Sequence, residues 1–259
     1  MSRAIPALPL QEWYVISLRP LGLHDGIRRA ATKLGAKTFA LSTLAIESLD
    51  AGDTLRNALA CPMVIATSPV AARMALSGQR LHVRPGQRWF AVGPGTAARL
   101  KRQGADDISI PTAGASAEAL LKLPELAHLG GRKVGLVTAP GGRGQLAKVL
   151  AERGAQVVLA EVYRRVPRTP SLQRRRALAA LPERSALLVS SVEALTGLWQ
   201  ALSESERRRL RRRPCVVGSQ RLARQVRALG FLRPLVAASA RPRDLLAALV
   251  DHTSAVRFR

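Results

Sequence analysis

The side chain of this sequence that is most suited to moving a proton is Tyr163, which lies in the segment Glu161-Val162-Tyr163-Arg164-Arg165. The chain has only two tyrosines. A phenol flanked by guanidinium groups can donate a hydrogen bond or a proton to the leaving oxygen of an anionic substrate. The structural alternative, that the aromatic ring only anchors a connecting segment, stays open at this point.

Three hydroxyl side chains stand where predicted strands give way to predicted helices. Ser68 and Ser191 each follow a short apolar run, and Thr96 follows the turn Val92-Gly93-Pro94-Gly95. The serines lack a base that would make them nucleophiles, because the four histidines are scattered and none accompanies a G-x-S-x-G turn. Helix capping or hydrogen bonding to an anionic ligand explains the serines better, and for Thr96 both explanations stay open.

Two glycine-rich turns resemble phosphate-binding loops but lack their defining residues. The turn around Gly93 and Gly95 has no third glycine three residues on, so a dinucleotide fingerprint is not supported. No Lys followed by Ser or Thr comes after Gly141-Gly142-Arg143-Gly144, which excludes a P-loop. This second turn is predicted either to hold an anion on its backbone N–H groups or to be a plain turn between strand and helix. No spacing of His, Cys or acidic residues predicts a metal site.

The charge of the chain predicts attraction to polyanions. Its 41 Lys and Arg residues outnumber 17 Asp and Glu residues, which gives a formal net charge of +24. Nucleic acid, an acidic membrane face and a substrate with many carboxylates all fit, and so does the codon bias of a GC-rich genome. Aromatic residues make up only 3%, too few for platforms that stack single-stranded bases, which weakens the nucleic-acid hypothesis. The arginine runs Arg174–Arg176 and Arg207–Arg213 are predicted to be solvated helix faces.

Composition also bears on domain number and compartment. At 259 residues, 47% of them hydrophobic, the chain is long enough for one large or two medium domains with packed cores. Two cysteines, Cys61 and Cys215, are too few for a disulfide framework, so a reducing cytoplasm is predicted. No segment approaches the ~20 apolar residues that span a bilayer, and the N-terminal residues lack a signal-peptide pattern, so we expect a soluble protein.

Short apolar runs alternate with amphipathic stretches of helical length, which predicts βα units that form buried parallel sheets. The predicted strands are Trp13–Leu18, Met63–Thr67, Trp89–Val92, Asp107–Ile110, Lys133–Thr138, Gln156–Glu161, Ala186–Ser190, Cys215–Gly218 and Leu235–Ala238. The stretches Lys37–Ser48 and Gln156–Arg168 are interpreted as connectors, either loops or strands. The small and hydroxyl residues that follow the strands would line the carboxyl edge of a sheet, where open α/β sheets bind ligands.

A diluted internal repeat organises these elements. Unit A begins with Val15–Gly22 and returns as A′ at Val134–Gly141, each time followed by a predicted helix. Unit B begins with Ile65–Pro69 and returns as B′ at Leu188–Val192. The chain therefore runs A, B, A′, B′. Domains built from A with B′ and B with A′, or from A with B and A′ with B′, would both produce this order.

With these motifs in place, the chain resembles the uroporphyrinogen-III synthase family. The resemblance covers nearly the whole chain, and its motifs, in order, are Val15–Pro20, Ala66–Ala71, Ala91–Ala97, Glu161–Arg165 and Val189–Ser191. Each motif is weak alone, but five in sequence are specific. Two positions depart from the family pattern: Leu18 replaces a frequent threonine, and Ser219-Gln220-Arg221 replaces a turn richer in hydroxyls.

The resemblance implies an α/β fold of two similar, flavodoxin-like parallel-sheet domains that are joined by two extended connectors, with one domain inserted in the other. Domain 1 is then expected to be discontinuous and to comprise residues 1–36 and 169–259. Domain 2 is expected to span residues 37–168, with a connecting strand at both ends. In this arrangement unit A joins B′, and unit B joins A′.

The activity that the resemblance implies is that of a cyclising hydro-lyase in tetrapyrrole biosynthesis, on the routes to haem, sirohaem and cobalamin. Hydroxymethylbilane, a linear tetrapyrrole bearing many carboxylates, would bind in the cleft between the domains and lose hydroxide from ring A. Ring D then attacks through its substituted carbon, and the spiro intermediate fragments and recloses with ring D inverted, which gives uroporphyrinogen III. The resemblance implies no cofactor, no metal, a monomer, no membrane or nucleic-acid partner, and a transient contact with the deaminase that supplies the bilane.

The resemblance also assigns roles to individual residues. Tyr163 matches the tyrosine that helps the hydroxide leave. The positions expected to contact the substrate are Arg19, Ser68, Gly93, Thr96, Ser191, Gly218 and Arg221. The two glycines would allow a close approach of the backbone. Two other functions compete: a basic nucleic-acid-binding protein, whose arginine runs would form one face, and a noncatalytic two-lobed module that binds a small anion.

Overall fold

The computed structural model describes residues 8–76, 84–112, 114, 116–141 and 144–257. The strands are β1 (Tyr14–Ser17), β2 (Lys37–Ala40), β3 (Leu44–Ser48), β4 (Met63–Ala66), β5 (Arg88–Ala91), β6 (Ile108–Ser109), β7 (Lys133–Thr138), β8 (Gln156–Glu161), β9 (Tyr163–Pro167), β10 (Ser185–Val189), β11 (Cys215–Val217) and β12 (Leu235–Val236). The helices are α1 (Asp25–Lys33), α2 (Gly52–Leu59), α3 (Pro69–Ala75), α4 (Pro94–Lys101), α5 (Ala117–Leu120), α6 (Gly144–Glu152), α7 (Leu172–Ala179), α8 (Val192–Ala201), α9 (Glu204–Arg211), α10 (Gln220–Ala228) and α11 (Pro242–Arg257), with a 3₁₀ turn at Pro124–Leu126.

The apolar runs of the sequence form strands that are buried on both faces. Every residue of β4 and of β10 is buried. Helices cover both faces of a parallel α/β sheet, so its central strands consist of nearly continuous apolar residues. Each strand that the sequence predicted is confirmed as the site of an observed strand.

The chain divides into two compact units. The first unit comprises Met1–Ala45 and Val166–Arg259, and the second comprises Ile46–Arg165. The first contains a five-stranded sheet of order β12-β11-β10-β1-β2, and the second a five-stranded sheet of order β6-β5-β4-β7-β8. Neighbouring strands within both sheets are parallel. A separate two-stranded sheet pairs β3 with β9.

Corresponding units of the internal repeat occupy corresponding positions in the two five-stranded sheets. In the first, β1 of unit A lies beside β10 of unit B′, and in the second, β7 of unit A′ lies beside β4 of unit B. The pairing of A with B′ and of B with A′ is therefore confirmed. The first unit has the flavodoxin strand order, and the second is a circular permutation of that order. The predicted fold class, two similar parallel-sheet domains with one inserted in the other, is confirmed.

The boundary between the units differs from the predicted position after residue 36. Lys37–Ala40, which was assigned to domain 2, forms β2 and pairs with the whole of β1. The boundaries instead follow Ala45 and Arg165, within β3 and β9. An edge strand is partly exposed and therefore has a mixed polar and apolar sequence, as a connector does. This similarity explains why β2 was interpreted as part of a connector.

Serine side chains cap the starts of six helices in the described chain. In the described chain, the serines whose Oγ accepts a backbone N–H three residues on are Ser68, Ser116, Ser171, Ser191, Ser203 and Ser219. Such caps satisfy N–H groups that have no partner within the helix. Three of these caps follow β4, β10 and β11 and so fix the first turns of α3, α8 and α10 at the carboxyl ends of the sheets.

In the second unit, α2 packs directly on β7. A Cβ added to Gly135 would stand 1.9 Å from the carbonyl oxygen of Ala58. Ala58 is completely buried. Only a glycine at position 135 leaves room for the backbone of α2 at this distance from the sheet.

Candidate functional site

Several predicted site residues of the second unit lie at the carboxyl edge of its sheet. Ser68, Gly93 and Tyr163 follow the carboxyl ends of β4, β5 and β8, which belong to one parallel sheet. The strand order reverses between β4 and β7, since β5 and β6 continue on one side and β8 on the other. Open α/β sheets bind ligands at such a reversal.

Tyr163 and Ser68 are in direct contact, with Tyr163 Oη 3.1 Å from Ser68 Oγ. Only 5% of Tyr163 is exposed, and Ser68 Oγ also accepts the N–H of Ala71 at 2.9 Å. Either hydroxyl can be the donor in the bond between them. Each hydroxyl carries one hydrogen, and their mutual bond uses only one of the two. The pair therefore keeps one hydroxyl hydrogen that can be donated to a ligand.

Gly93, rather than Thr96, is the N-cap residue of α4. The C=O of Gly93 accepts the N–H groups of Thr96 at 3.0 Å and Ala97 at 3.1 Å. The capping explanation for Thr96 is therefore wrong. Thr96 is instead buried in the first turn of α4, which packs against α3, the helix that Ser68 caps. The φ of Gly93 is −174°, an extended conformation open to any residue, so the backbone of this turn does not itself require glycine.

A second pair of hydroxyls, which the sequence analysis did not identify, lies at the same edge. Thr67 Oγ1 donates to Thr138 Oγ1 at 2.9 Å, and both side chains are buried. The backbone N–H of Thr67 donates to Val137 O at 3.1 Å. This pair joins the ends of β4 and β7 at the reversal of strand order. The signal in the sequence was a threonine at the end of each of two apolar runs, one in B and one in A′.

The glycine-rich turn after β7 is described only in part. Gly141 has a φ of +67°, in the left-handed region that favours glycine. Gly142 and Arg143 lie outside the described residues, and α6 begins at Gly144. The anion-binding role of this turn stays a prediction.

In the first unit, predicted site residues follow three adjacent strands. Arg19, Ser191 and Gly218 come after the carboxyl ends of β1, β10 and β11. Ser191 Oγ caps α8 by accepting the N–H of Ala194 at 3.4 Å. A Cβ on Gly218 would lie 2.7 Å from Cα of Ala240. The small size of Gly218 is therefore required by packing within this unit, independently of any ligand.

Two arginines of the first unit are among the predicted site residues. Arg19 Nη2 donates to Ala240 O at 2.8 Å, whereas Arg19 Nε is buried and has no hydrogen-bond partner in the described chain. Burial lowers the pKa of Arg19. A desolvated guanidinium with an unused donor is stabilised by an anion. Arg221 is exposed in the first turn of α10, the helix that Ser219 caps.

A buried histidine lies next to Arg19 along a chain of hydrogen bonds. His24 is 6% exposed, with Nδ1 3.0 Å from Ser17 Oγ and Nε2 2.7 Å from Ser42 Oγ. Ser42 Oγ in turn donates to Arg19 O at 3.0 Å. In the sequence His24 is one of four scattered histidines, and its partners stand at no recognisable motif spacing.

We expect His24 to make the folded state less stable at mildly acidic pH. Burial, reinforced by the charges of Arg28 and Arg19, lowers the pKa of His24 below 6.5. The unfolded state therefore binds more protons as the pH falls through 6.5, so the free energy of unfolding decreases with falling pH in that window. Urea unfolding between about pH 7.5 and about pH 5.5 measures this decrease.

His24→Gln is expected to lose this part of the pH dependence. His128→Gln is the matched control because His128 is exposed, and it should follow the unsubstituted protein. Equal slopes of unfolding free energy against pH in the unsubstituted protein and in His24→Gln would contradict the expectation.

The arginine run Arg207–Arg213 is solvated only in part. Arg207 Nε donates to Trp199 O at 2.9 Å, and Arg211 Nε donates to Leu229 O at 2.8 Å. Both guanidinium groups also lie over the ring of Trp199. The exposed members are Arg208, Arg209 and Arg212. Arg213 donates to Pro182 O at 3.1 Å and to Leu181 O at 3.0 Å. The prediction of a solvated face is therefore wrong for Arg207, Arg211 and Arg213, whose guanidinium groups connect segments of the first unit.

The described residues contain no group of side chains placed to hold a metal ion, and both cysteines are buried. Within them, no three His, Cys, Asp or Glu side chains are grouped so as to hold a metal ion. Cys61 and Cys215 are free and buried, and burial raises the pKa of Cys215 to about 12. Cys215 is therefore an unreactive thiol at neutral pH. None of the described helices has both the length and the hydropathy needed to cross a membrane.

Comparison with known proteins gives consistent results. The family model described as "Uroporphyrinogen-III synthase HemD" matches residues 25–247. The uroporphyrinogen-III synthase of Salmonella typhimurium is 34% identical over 179 residues, which cover 69% of this chain and 72% of that protein. A mutant uroporphyrinogen-III synthase from the extremely thermophilic bacterium Thermus thermophilus has a similar fold, with a TM-score of 0.61 at 20% identity over 95% of this chain and 100% of that one. The synthase from Helicobacter pylori 26695 gives a TM-score of 0.58 at 16% identity, over 93% and 99% of the two chains.

Proposed function

This chain belongs to the uroporphyrinogen-III synthase family, and we propose on that premise that it converts hydroxymethylbilane to uroporphyrinogen III with inversion of ring D. The reaction makes it a cyclising lyase: hydroxide leaves ring A, and a carbon–carbon bond closes the macrocycle. The observation that best supports this proposal is the pair formed by Tyr163 and Ser68, which keeps a hydrogen to donate at the strand reversal of the second unit.

Departure of hydroxide is the step in which Tyr163 would act. A hydroxyl leaves carbon more readily when its oxygen receives a proton or a strong hydrogen bond as the bond breaks. Ser68 supports the phenol on one side through the 3.1 Å contact, and burial holds the ring in place. Tyr163 is therefore assigned the catalytic role, with Ser68 as the group that orients its hydroxyl.

The remaining task is to bend a flexible bilane so that ring D attacks through its substituted carbon. The uncatalysed closure proceeds without inversion, so holding the chain in one geometry changes the product. Arg19 and Arg221 are assigned to substrate carboxylates, because one has an unused buried donor and the other is exposed at a helix start. Thr96, Ser191, Gly93 and Gly218 are assigned to the surrounding surface, where hydroxyls and backbone amides contact the bilane.

The cysteines and the net charge bear on where the protein works and how it captures its substrate. We place the protein in the cytoplasm, because its two cysteines are free and buried, and we take it to be a monomer. A transient contact with the deaminase that releases the bilane would limit its spontaneous closure. The chain has 41 basic and 17 acidic residues, and this excess of positive charge would speed capture of a polyanionic substrate.

The proposal is tested by the isomer of the product. Purified protein is supplied with freshly generated hydroxymethylbilane, and the uroporphyrinogen formed is separated into isomers I and III. We expect isomer III to predominate with the protein and isomer I without it, and a chelator to change neither result. Isomer I alone in the presence of folded protein would overturn the proposal. Protein that binds the bilane yet yields isomer I would identify the noncatalytic binding module instead.

A further inference from the structure

His24 connects three segments of the first unit. It precedes α1, its Nδ1 contacts Ser17 at the end of β1, and its Nε2 contacts Ser42, which follows β2. Ser42 Oγ in turn donates a hydrogen bond to the carbonyl oxygen of Arg19. The imidazole is thus separated from the backbone of Arg19 by a single hydroxyl.

The direction of each hydrogen bond fixes the form of the ring. Ser42 has one hydroxyl hydrogen and donates it to Arg19 O, which is a pure acceptor. Ser42 Oγ must therefore accept the hydrogen of His24 at the 2.7 Å contact, so Nε2 carries a proton. In the neutral ring Nδ1 is then unprotonated and accepts the hydroxyl hydrogen of Ser17. The chain runs from Ser17 through His24 and Ser42 to Arg19, with every donor used once.

The backbone carbonyl of Arg19 accepts one hydrogen bond, and its side chain donates one. Arg19 Nη2 donates to Ala240 O, while Nε is buried without a partner in the described chain. Fixing the carbonyl limits the rotation of the segment that carries this guanidinium. Binding an anion with a side chain that is already held in place costs less conformational entropy than binding it with a mobile one.

We propose that His24 is a positioning residue for substrate binding: as a neutral, Nε2-protonated imidazole it holds Ser42 against the Arg19 carbonyl and so keeps the Arg19 guanidinium set for a substrate carboxylate. This inference rests on the proposed function, because it takes the bilane as the ligand of Arg19. It predicts that His24 acts on the Michaelis constant through Arg19 and leaves the chemical step unchanged.

The charged groups around the ring agree with the neutral form. Arg28, Arg19 and Arg174 disfavour an imidazolium, and Asp25 alone favours it. A proton on Nδ1 would also remove the acceptor that Ser17 uses. The chain of hydrogen bonds is therefore disturbed when His24 is protonated, and substrate affinity should fall as the pH drops below the range in which the ring is neutral.

The experiment compares two amide replacements of His24 that differ in length. The side-chain amide of Gln can place an N–H near the position of Nε2, whereas Asn reaches only the position of Nδ1. We expect His24→Asn to raise KM for hydroxymethylbilane about fivefold, the effect of losing one neutral hydrogen bond, with kcat unchanged. His24→Gln is expected to restore KM to within about twofold of the unsubstituted protein and to abolish the rise of KM at acidic pH.

The link to Arg19 is tested in a double-mutant cycle. Arg19→Gln alone should raise KM about 20-fold, as for the loss of a hydrogen bond to a charged group. Adding His24→Asn to Arg19→Gln should raise KM no further, because the positioned group is already gone. Arg29→Gln removes an exposed charge from α1 and serves as the control for general attraction of an anionic substrate, with KM expected to stay unchanged.

Two results of this cycle would overturn the inference. A fivefold increase of KM on adding His24→Asn to Arg19→Gln would overturn the inference, since His24 would then act on the site without Arg19. An unchanged KM in Arg19→Gln would overturn it as well and would remove Arg19 from the substrate site. Neither result bears on whether isomer III is formed, so the inference can fail while the proposed function stands.

Discussion

Tyr163→Phe is expected to lower kcat about 100-fold, which is the lower end of the contribution of a positioned proton donor. The substitution keeps the buried ring and removes only the hydroxyl that lies 3.1 Å from Ser68 Oγ. Ser68 still accepts the N–H of Ala71 and still caps α3. The free energy of unfolding is therefore expected to change by about 1 kcal/mol or less.

The measurement is the initial rate of isomer III formation at saturating hydroxymethylbilane, together with urea unfolding of the same preparation. Tyr14→Phe is the matched control, because Tyr14 is the other tyrosine of the chain and lies on β1. It should leave kcat unchanged. A kcat for Tyr163→Phe equal to that of Tyr14→Phe would exclude the phenol of Tyr163 from the mechanism.

Gly135→Ala is expected to lower the free energy of unfolding by about 3 kcal/mol, the upper end of the usual cost of overpacking a core. Its Cβ would stand 1.9 Å from the carbonyl oxygen of Ala58, a distance at which two nonbonded atoms cannot remain. Both atoms belong to backbone elements, β7 and α2, so rotating a side chain cannot relieve the contact. The helix would have to move away from the sheet and lose the packing of its buried side.

Urea unfolding at neutral pH measures this loss as a lower midpoint. Gly130→Ala is the control, because Gly130 has open space at its Cβ position and does not adopt a positive φ. Its effect is expected to stay within about 0.5 kcal/mol. Unfolding midpoints that agree between the two variants would show that α2 can shift at little cost, contrary to the geometry.

The strands and their grouping were predictable because burial dictates them. A run such as Met63–Ala66 is apolar at every position, since helices cover both faces of the sheet. The repeat then predicted which strands share a sheet, once the resemblance favoured the pairing of A with B′. β2 was missed as part of the first sheet because an edge strand has few neighbours and therefore weak sequence constraints.

The candidate site was predictable only where it coincides with strand ends. Ser68 and Tyr163 were identified from their positions, but their contact spans 95 residues of sequence and follows from the order of β4 and β8 in the sheet. Thr67 with Thr138 and His24 with Ser42 depend in the same way on strand adjacency. Gly218 was expected to admit a ligand, whereas its neighbour Ala240 also requires it to be small. No spacing rule on one sequence encodes such contacts.

The discontinuous first unit has a consequence for synthesis on the ribosome. Its strands β1 and β2 emerge before all of the second unit, but β10, the partner of β1, is translated only afterwards. The contiguous second unit has all five strands of its sheet within Ile46–Arg165 and can fold during this delay. A folded insert replaces a long flexible loop by a short one, which lowers the entropy cost of joining the two chain ends. Translation therefore favours assembly from the middle of the chain outward, since the edge of β1 that pairs with β10 stays open until the second unit has been made.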